Sequence, residues 1–278
     1  MIQTKESLGR ISTRRGDFTK GLGHFDRAQS DLQKIIGTEP EKTEWQEELA
    51  SIHVSKASTQ RSSGLFEQAT IEIEAALGIY QELLLQWPES LWLKESVAMT
   101  KMDIGLILID QGKIKKSLVM LRESTETYQQ LANAYPLFAD YRLGLARSAA
   151  GLAQSTMELD SKPDESERLL STAEELLGQL YKESDGSDEY LIDIAVTASH
   201  HARLAQVHGD SPRARQLLDD VAMVSIENSL AADPNNPQSQ NVLAHVHWLH
   251  GLIEHDSGEI TGAEPWVQRA QSNGRKVK

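Results

Sequence analysis

Apolar and small residues return along this chain at a nearly constant interval. An apolar residue followed by alanine recurs at steps of 48, 48, 49 and 49 residues, at Leu49 and Ala50, Val97 and Ala98, Leu145 and Ala146, Ile194 and Ala195, and Leu243 and Ala244. Seven residues after each alanine comes a small residue, namely Ala57, Gly105, Ala153, Ala202 and Gly251, with Gly9 one interval earlier. Such a fixed period is typical of proteins built from stacked repeats.

Two breaks divide each interval into segments of about equal length. The first break carries a glycine in most repeats, at Gly16, Gly64, Gly112, Gly209 and Gly258, and residues 160–163 (DSKP) fill the one gap. The second break carries proline at Pro40, Pro88, Pro136 and Pro234, and Asp185 with Gly186 in the fourth repeat. Both residue types interrupt regular structure. Each interval is therefore predicted to hold two separate elements.

The apolar spacing within the segments is helical. Ile73, Leu77, Tyr80, Leu84 and Trp87 show the three- and four-residue steps that place side chains on one face of an α-helix. The pattern predicts helices at 2–14, 18–38, 42–62, 66–86, 90–110, 114–134, 138–158, 164–183, 188–207, 212–232, 237–256 and 262–272.

One interval thus predicts an antiparallel pair of helices, which cannot bury its apolar stripe alone. Neighbouring pairs must stack, so the core runs along the array. We expect an all-α solenoid that forms one domain over residues 1–278. Its repeats are predicted at about 1–40, 41–88, 89–136, 137–185, 186–234 and 235–278.

The first repeat is predicted to be truncated, because one interval before Leu49 and Ala50 falls on Met1 and Ile2. Terminal repeats normally present a polar outer face. We therefore expect either a longer natural polypeptide or a partner that covers Leu8, Ile11 and Phe18. A monomer, or weak self-association through this helix, is expected.

Composition narrows the classes of partner. The 41 acidic and 28 basic residues give a formal net charge of −13, which repels phosphate backbones and anionic lipid, so neither nucleic acid nor membrane is expected to bind. The absence of cysteine excludes disulfides and thiolate chemistry. No apolar run is long enough for a signal peptide or a bilayer span, which predicts a cytoplasmic location.

The small residue, the turn glycine seven residues later and the proline after the second helix resemble the tetratricopeptide repeat (TPR). That resemblance implies a right-handed superhelix, although the usual unit has 34 residues. The longer unit, with YRLGLA at 141–146 and QGK or HGD at the turn, resembles the C-terminal arrays of bacterial, planctomycete-type serine/threonine protein kinases. No kinase motif is present, so an enzyme is not expected.

One peptide-binding mode of the TPR family is not expected here. In the two-carboxylate clamp, Lys and Asn on successive first helices hold a C-terminal Asp. Those positions are occupied here by Val54 and Ser58, then by Met102 and Leu106. Binding of chaperone tails is therefore not carried over to this chain.

Histidines near the C-terminus suggest an alternative chemistry. His247, His250 and Glu254 fall at i, i+3 and i+7 on one helical face, which could supply three ligands to Zn²⁺ or another divalent ion. A packing role is favoured for them, so no cofactor is expected. His200 and His201 point to different faces and make a weaker candidate.

Runs of charge are assigned to solvated surface. The acidic runs at 163–167 and 183–190 coincide with turns and helix N-termini, where the helix dipole favours negative charge. The basic clusters of Arg14, Arg15 and Lys20, and of Lys113, Lys115 and Lys116, lie beside turns. Either cluster could dock an acidic partner, but a solubilising surface is favoured.

The expected function is a non-enzymatic protein-interaction or scaffolding module, with a structural self-association array as the alternative. The family's curvature implies a concave face made by the first helices. Predicted peptide-groove residues on it are Met99, Met102, Leu106, Arg147, Gln154, Val196, Ser199, Arg203, His245 and Trp248. Two arginines on an acidic protein favour a ligand with alternating acidic and apolar residues. The alternative is that the methionines fill the core and that Arg147 and Arg203 pair with neighbouring carboxylates.

Overall fold

The computed structural model describes residues 2–39, 41–159 and 163–256, and these ranges contain helices and connections but no strand. The α-helices are α1 (Ile2–Arg14), α2 (Phe18–Thr38), α3 (Thr43–Ser62), α4 (Phe66–Gln86), α5 (Leu91–Asp110), α6 (Ile114–Ala134), α7 (Ala139–Glu158), α8 (Pro163–Glu183), α9 (Leu191–Val207), α10 (Ser211–Gln216), α11 (Val224–Ala232) and α12 (Pro237–Asp256). A 3₁₀ turn (Asp188–Tyr190) precedes α9, and a π-helical segment (Leu217–Met223) joins α10 to α11. The expected all-α solenoid of stacked helix pairs is confirmed.

The helix bounds agree closely with the breaks in the sequence. From α1 to α8 each observed end lies within one residue of the predicted end. The helix expected at 262–272 lies outside the described residues. Among the helices described, none is both long and apolar enough to cross a membrane.

The chain divides by packing density into two compact units, residues 1–144 (unit 1) and 145–278 (unit 2), with the division inside α7. In unit 1 each helix from α1 to α6 packs against the next one along the chain. The largest fully buried side chains there include Phe25, Ile52, Ile73 and Leu121. Nearest-neighbour packing of this kind is what a stacked array requires.

The small residues predicted at helix crossings lie at close approaches in unit 1. A Cβ atom added to Gly105 of α5 would come within 2.5 Å of the Leu121 Cγ of α6, and one added to Gly9 within 2.7 Å of the Phe25 ring. Real Cβ atoms do not approach carbon so closely. Glycine therefore sets how near α5 and α6, and α1 and α2, can lie.

The glycine breaks are helix C-caps that require a left-handed residue. Gly64 and Gly112 have φ of 79° and 71°, and Gly16, Gly186 and Gly209 are also positive. In each of the first two, the next amide donates to a carbonyl five residues back, from Leu65 to Gln60 and from Lys113 to Leu108, both at 2.8 Å. This is the Schellman arrangement, which glycine adopts at little cost. Gly258, Pro40 and residues 160–162 lie outside the described ranges.

Unit 2 has its main core around α9. Its small side chains allow neighbouring helices to approach closely. Ala198, Ala202 and Ala205 pack against Leu218, Val246 and other side chains of the later helices. Helix α9 contacts α8, α10, the π segment, α11 and α12. The fifth pair is thus centred on a first helix whose alanines allow close packing.

The π segment interrupts a helix that was predicted to be continuous at 212–232. In α4, α6 and α8 the buried residues recur at steps of four, three, four and three. From Ala214 the buried residues Leu218, Ala222, Ile226 and Ser229 instead follow at four, four, four and three. The run Ser211–Ala232 is one residue longer than the 21-residue α8. A wider π turn absorbs the extra residue and keeps the apolar stripe on the core.

Candidate functional site

The predicted groove residues of unit 1 share one face of α5. Met102 is buried, with 7% of its surface exposed, and Met99 and Leu106 on either side of it are half-buried. Their i, i+3 and i+7 spacing places them side by side along the helix. Unit 1 therefore presents a continuous apolar strip on α5 whose ends are accessible.

A cavity of about 520 Å³ opens near the N-terminal ends of α3 and α5 in the same unit. It is lined by Thr43, Glu47, Gln86, Trp87, Pro88, Glu89, Ser90 and Leu93. Sequence reasoning missed this cavity. Its lining comes from α3, the end of α4, the connection 87–90 and α5, so no single stretch of the sequence marks it.

An aromatic pair in unit 1 joins the start of α5 to α4. Trp92 packs edge-to-face on Tyr80 with ring centroids 5.8 Å apart, and 46% of its surface remains exposed. Burial, together with the nearby Glu47 and Glu6 carboxylates, raises the pKa of Tyr80 to about 12. Tyr80 is therefore a neutral support for an accessible tryptophan.

The two predicted groove arginines of unit 2 are ion-paired within that unit. Arg147 makes two hydrogen bonds to Asp193, at 2.9 and 2.7 Å, and Arg203 lies 3.7 Å from Glu158. The alternative that these cations pair with neighbouring carboxylates is therefore confirmed. An acidic ligand would have to compete with Asp193 and Glu158, which removes the reason for expecting one.

The remaining predicted groove residues of unit 2 differ in accessibility. Ser199 is fully buried and its hydroxyl donates to the Ala195 carbonyl at 2.7 Å, so it lies below the surface. Gln154 and Val196 are half-buried. His245 and Trp248 are also half-buried and stack with centroids 5.7 Å apart, and Trp248 packs against the core of the unit.

The histidines of α12 do not assemble a metal centre. Glu254 accepts a hydrogen bond from Arg215 at 3.0 Å, and His250 lies 3.3 Å from Asp219. Burial lowers the pKa of His250. Within the described ranges no three His, Asp or Glu side chains are placed to hold a metal ion. The metal alternative at His247, His250 and Glu254 is thus corrected, because an arginine takes the proposed carboxylate ligand.

His201, also considered earlier, belongs to a polar contact between helices of unit 2. Its ring nitrogens lie 2.7 Å from Glu174 and 3.1 Å from Glu167 on α8, and Arg213 of α10 pairs with the same Glu167 at 2.9 Å. Burial opposes the charged imidazole, but the two glutamates outweigh burial and raise the pKa of His201. The contact links α8, α9 and α10 across their packed surfaces.

A similar network in unit 1 joins α2, α3 and α4. Glu72 lies 2.6 Å from His53 and 2.7 Å from Lys56, and Lys56 also reaches Asp26 at 2.8 Å and Gln29 at 3.1 Å. Burial works against the charge on Glu72, but its contacts to His53 and Lys56 lower its pKa overall. Lys56 and His201 are repeat-equivalent, since both directly precede a crossing-point alanine. These are internal polar contacts rather than surface sites.

A second, apolar pocket of about 290 Å³ lies between α8, α9 and the π segment of unit 2. Its lining residues are Glu174, Leu177, Gly178, Ile194, Thr197, Ala198, Leu217 and Val221. Gly178 stands where α2, α4 and α6 carry Gln33, Gln81 and Gln129. Because Gly178 has no side chain where the other helices carry glutamine, this space on α8 stays open.

The charged runs lie on the surface of the described chain. Asp164 and Glu165 occupy the first turn of α8, as the dipole argument expected. Lys113, Lys115 and Lys116 are exposed beside the turn that precedes α6. Neither run is part of the cavity or the α5 strip.

Comparison with known proteins establishes the type of fold. No family model and no curated protein matches this chain. BtubC (BKLC) from P. vanneervenii aligns over 94% of each chain with 17% identity and a TM-score of 0.55. The Rap conjugation gene regulator of plasmid pLS20, solved in complex with the Phr* peptide, covers 98% of this chain and 73% of its own, with 13% identity and a TM-score of 0.60. A putative kinesin light chain of Podosopora anserina with nearly identical TPR-like repeats covers 82% and 96%, with 14% identity and a TM-score of 0.50. The chain is a TPR-type helical repeat array.

Proposed function

We propose that this chain is a non-enzymatic protein-binding module that holds a partner segment on the first helices of its pairs. The observation that carries the proposal is the α5 strip, where Met99 and Leu106 stay accessible beside buried Met102. Methionine adapts its shape to different partners and is enriched at binding surfaces. The peptide complex of the similar Rap regulator supports the same use of the fold.

Unit 2 contributes its own contact positions in this proposal. Gln154, Val196, His245 and Trp248 are half-buried, so each offers some surface to a partner. Arg147 and Arg203 act mainly within the chain, and buried Ser199 is left out. The ligand is therefore selected by apolar contacts more than by anionic groups.

The test is selection of peptides from a random display library against the wild type and a Met99→Ser, Leu106→Ser double variant. Truncating hot-spot contacts typically costs more than about 1 kcal/mol each, so the selected peptides should bind the variant at least about tenfold more weakly. Fluorescence anisotropy with individual selected peptides measures the difference.

The matched control is Ile71→Ser, which removes an apolar side chain that is 68% exposed on the second helix α4. Peptides selected on the wild type should bind this control unchanged. Equal binding to the strip variant and the wild type would contradict the α5 assignment. Failure to enrich any peptide would contradict the module itself.

The alternative of a structural self-association array makes a different prediction. Sedimentation equilibrium would then give a stable oligomer, and no peptide would be enriched in the selection. A monomer with enriched peptides favours the binding module. The net charge of −13 supports a protein partner over nucleic acid in either case.

The finer proposal is that the repeat unit has 48 or 49 residues and that the array serves a serine/threonine kinase-like protein as its partner-binding region. It rests on the resemblance carried by YRLGLA at 141–146 and by the turn sequences. Sequencing the reading frame upstream of Met1 tests it. An in-frame kinase domain supports the assignment, and an in-frame stop codon immediately upstream contradicts it.

A further inference from the structure

Two carboxylates occupy matching positions on the first helices of unit 1. Glu47 on α3 and Glu95 on α5 lie 48 residues apart, and each is the fifth residue of its helix. Glu95 precedes Met99 by one turn, so it extends the α5 strip towards the helix N-terminus. Glu44 on α3 and Asp140 on α7 accompany the pair. We call Glu44, Glu47, Glu95 and Asp140 the acidic trough.

Helix capping explains only part of the trough. Glu44 and Asp140 stand in the first turns of α3 and α7, where the helix dipole stabilises negative charge. Glu47 and Glu95 lie one turn further along, where that effect has largely decayed. Both are half-buried. Glu47 lines the surface cavity, and Glu95 holds the matching position on the next first helix. Their placement therefore needs another reason.

The lysines next to the trough pair more closely with other carboxylates, although the charge of Lys42 also acts on Glu44. No ion pair joins any of its four carboxylates to a basic side chain in the described part of unit 1. Lys42 is held by Glu39 at 2.8 Å, and Lys94 lies 3.6 Å from Glu89.

Like charges act on the two central carboxylates instead. Burial and the neighbouring Glu44 raise the pKa of Glu47, and burial and Asp140 raise the pKa of Glu95. Two half-buried anions held near like charges would each be stabilised by a cation.

The apolar surroundings fit the stem of a long cationic side chain. Glu47 lines the 520 Å³ cavity together with Trp87 and Leu93. Trp87 and Trp92 are 43% and 46% exposed. A guanidinium can pair with a carboxylate and stack on an aromatic ring at once, which an ammonium does less well. The cavity thus suits arginine, and the adjacent strip suits an aliphatic residue.

We propose that the acidic trough binds a basic segment of a partner protein, with arginines reaching Glu47 and Glu95 and an apolar residue of the segment packing on the α5 strip next to Glu95. This inference rests on the proposed protein-binding function and names the chemistry of the partner. Neighbouring helices in a stack lie about 8–10 Å apart, and three residues of extended chain span about 10 Å. The segment therefore carries arginine at every third position.

The probe is a fluorescein-labelled peptide with three arginines at every third position, each followed by leucine and alanine, and its matched peptide has glutamate in place of arginine. The arginine peptide should bind the wild-type chain, and the glutamate peptide should not. A Glu47→Gln, Glu95→Gln variant should bind the arginine peptide at least tenfold more weakly. Raising the salt concentration should weaken wild-type binding but change the variant less, because the ion pairs are gone.

The control variant is Glu74→Gln, Glu126→Gln, which changes the net charge equally at exposed positions of α4 and α6. It should retain wild-type affinity, and thermal melts should show that both variants fold. Equal weakening in both variants would show that only net charge matters and would overturn the trough. Failure of the arginine peptide to bind, while display still yields peptides that depend on Met99 and Leu106, would overturn this inference and leave the proposed function standing.

Discussion

Gly105 lies at a helix crossing that leaves no room for a Cβ atom. At Gly105 the nearest atoms to an added Cβ are all from the Leu121 side chain, at 2.5 to 3.2 Å. Leu121 is itself fully buried in the core. A close-packed interior transmits such a clash to the backbone.

We expect Gly105→Leu to lower the free energy of unfolding by roughly 1–3 kcal/mol, through overpacking between α5 and α6. The measurement is urea denaturation followed by circular dichroism. Gly78 of α4 provides the control, because a Cβ added there meets nothing within 4 Å. Gly78→Ala should stabilise by roughly 0.4–1 kcal/mol. An unchanged midpoint for Gly105→Leu would contradict the crossing.

For single residues, the sequence predicted where a residue lies in its repeat better than it predicted which side chain the residue contacts. The interval placed Gly105 at a crossing and Gly64 at a turn, because each position repeats along the chain. It could not predict that Arg147 pairs with Asp193, since the two residues lie 46 positions apart on different helices. The cavity beside Glu47 was missed for the same reason, because it is formed by residues from three helices.

Among the elements, the π segment is a local adjustment of one helix to its neighbours. Four-residue steps between Ala214, Leu218, Ala222 and Ile226 would carry the buried stripe round an ideal helix and away from α9. Widening one turn restores the direction of the stripe. The hydrogen bonds of a π turn have poorer geometry than those of an α-helix.

We expect the amides of Leu217–Met223 to exchange hydrogen faster than those of Leu191–Val207 in the neighbouring α9. Asp219, Asp220 and Val221 are exposed, so water reaches the widened turn directly. Hydrogen–deuterium exchange with mass spectrometry measures both segments in one sample. Equal protection factors would show that the segment is held as firmly as an α-helix.

Helix ends could be predicted because turn residues define them locally. Gly64 and Gly112 end α3 and α5 through their own backbone conformation, whatever packs around them. The π segment could not be predicted by counting residues between breaks, because the fifth pair differs from the fourth by one residue within its second helix. The change from three- to four-residue steps was the available signal.

In a stacked repeat array the helix pairs resemble one another, and each pair packs mainly on its neighbours. Because the apolar stripes of the helices have similar spacing, apolar packing alone does not determine which helix packs against which. The Glu72, His53 and Lys56 network of unit 1 behaves differently, since its distances of 2.6 and 2.7 Å require α3 and α4 to meet in one alignment. Replacing a buried ion pair by apolar residues is often neutral or stabilising in energy.

We therefore expect the network to specify, during folding, which helix packs against α3. A His53→Leu, Lys56→Met, Glu72→Leu triple variant should unfold at the same or a higher urea concentration than the wild type. Yet a larger share of its molecules should refold through slow phases. In the variant, a stack that skips or shifts a helix pair no longer buries an unpaired charge, so such a misassembled stack is less strongly destabilised. Stopped-flow refolding followed by double-jump unfolding counts the misassembled fraction. If that fraction equals the wild-type value, then apolar shape alone orders the stack.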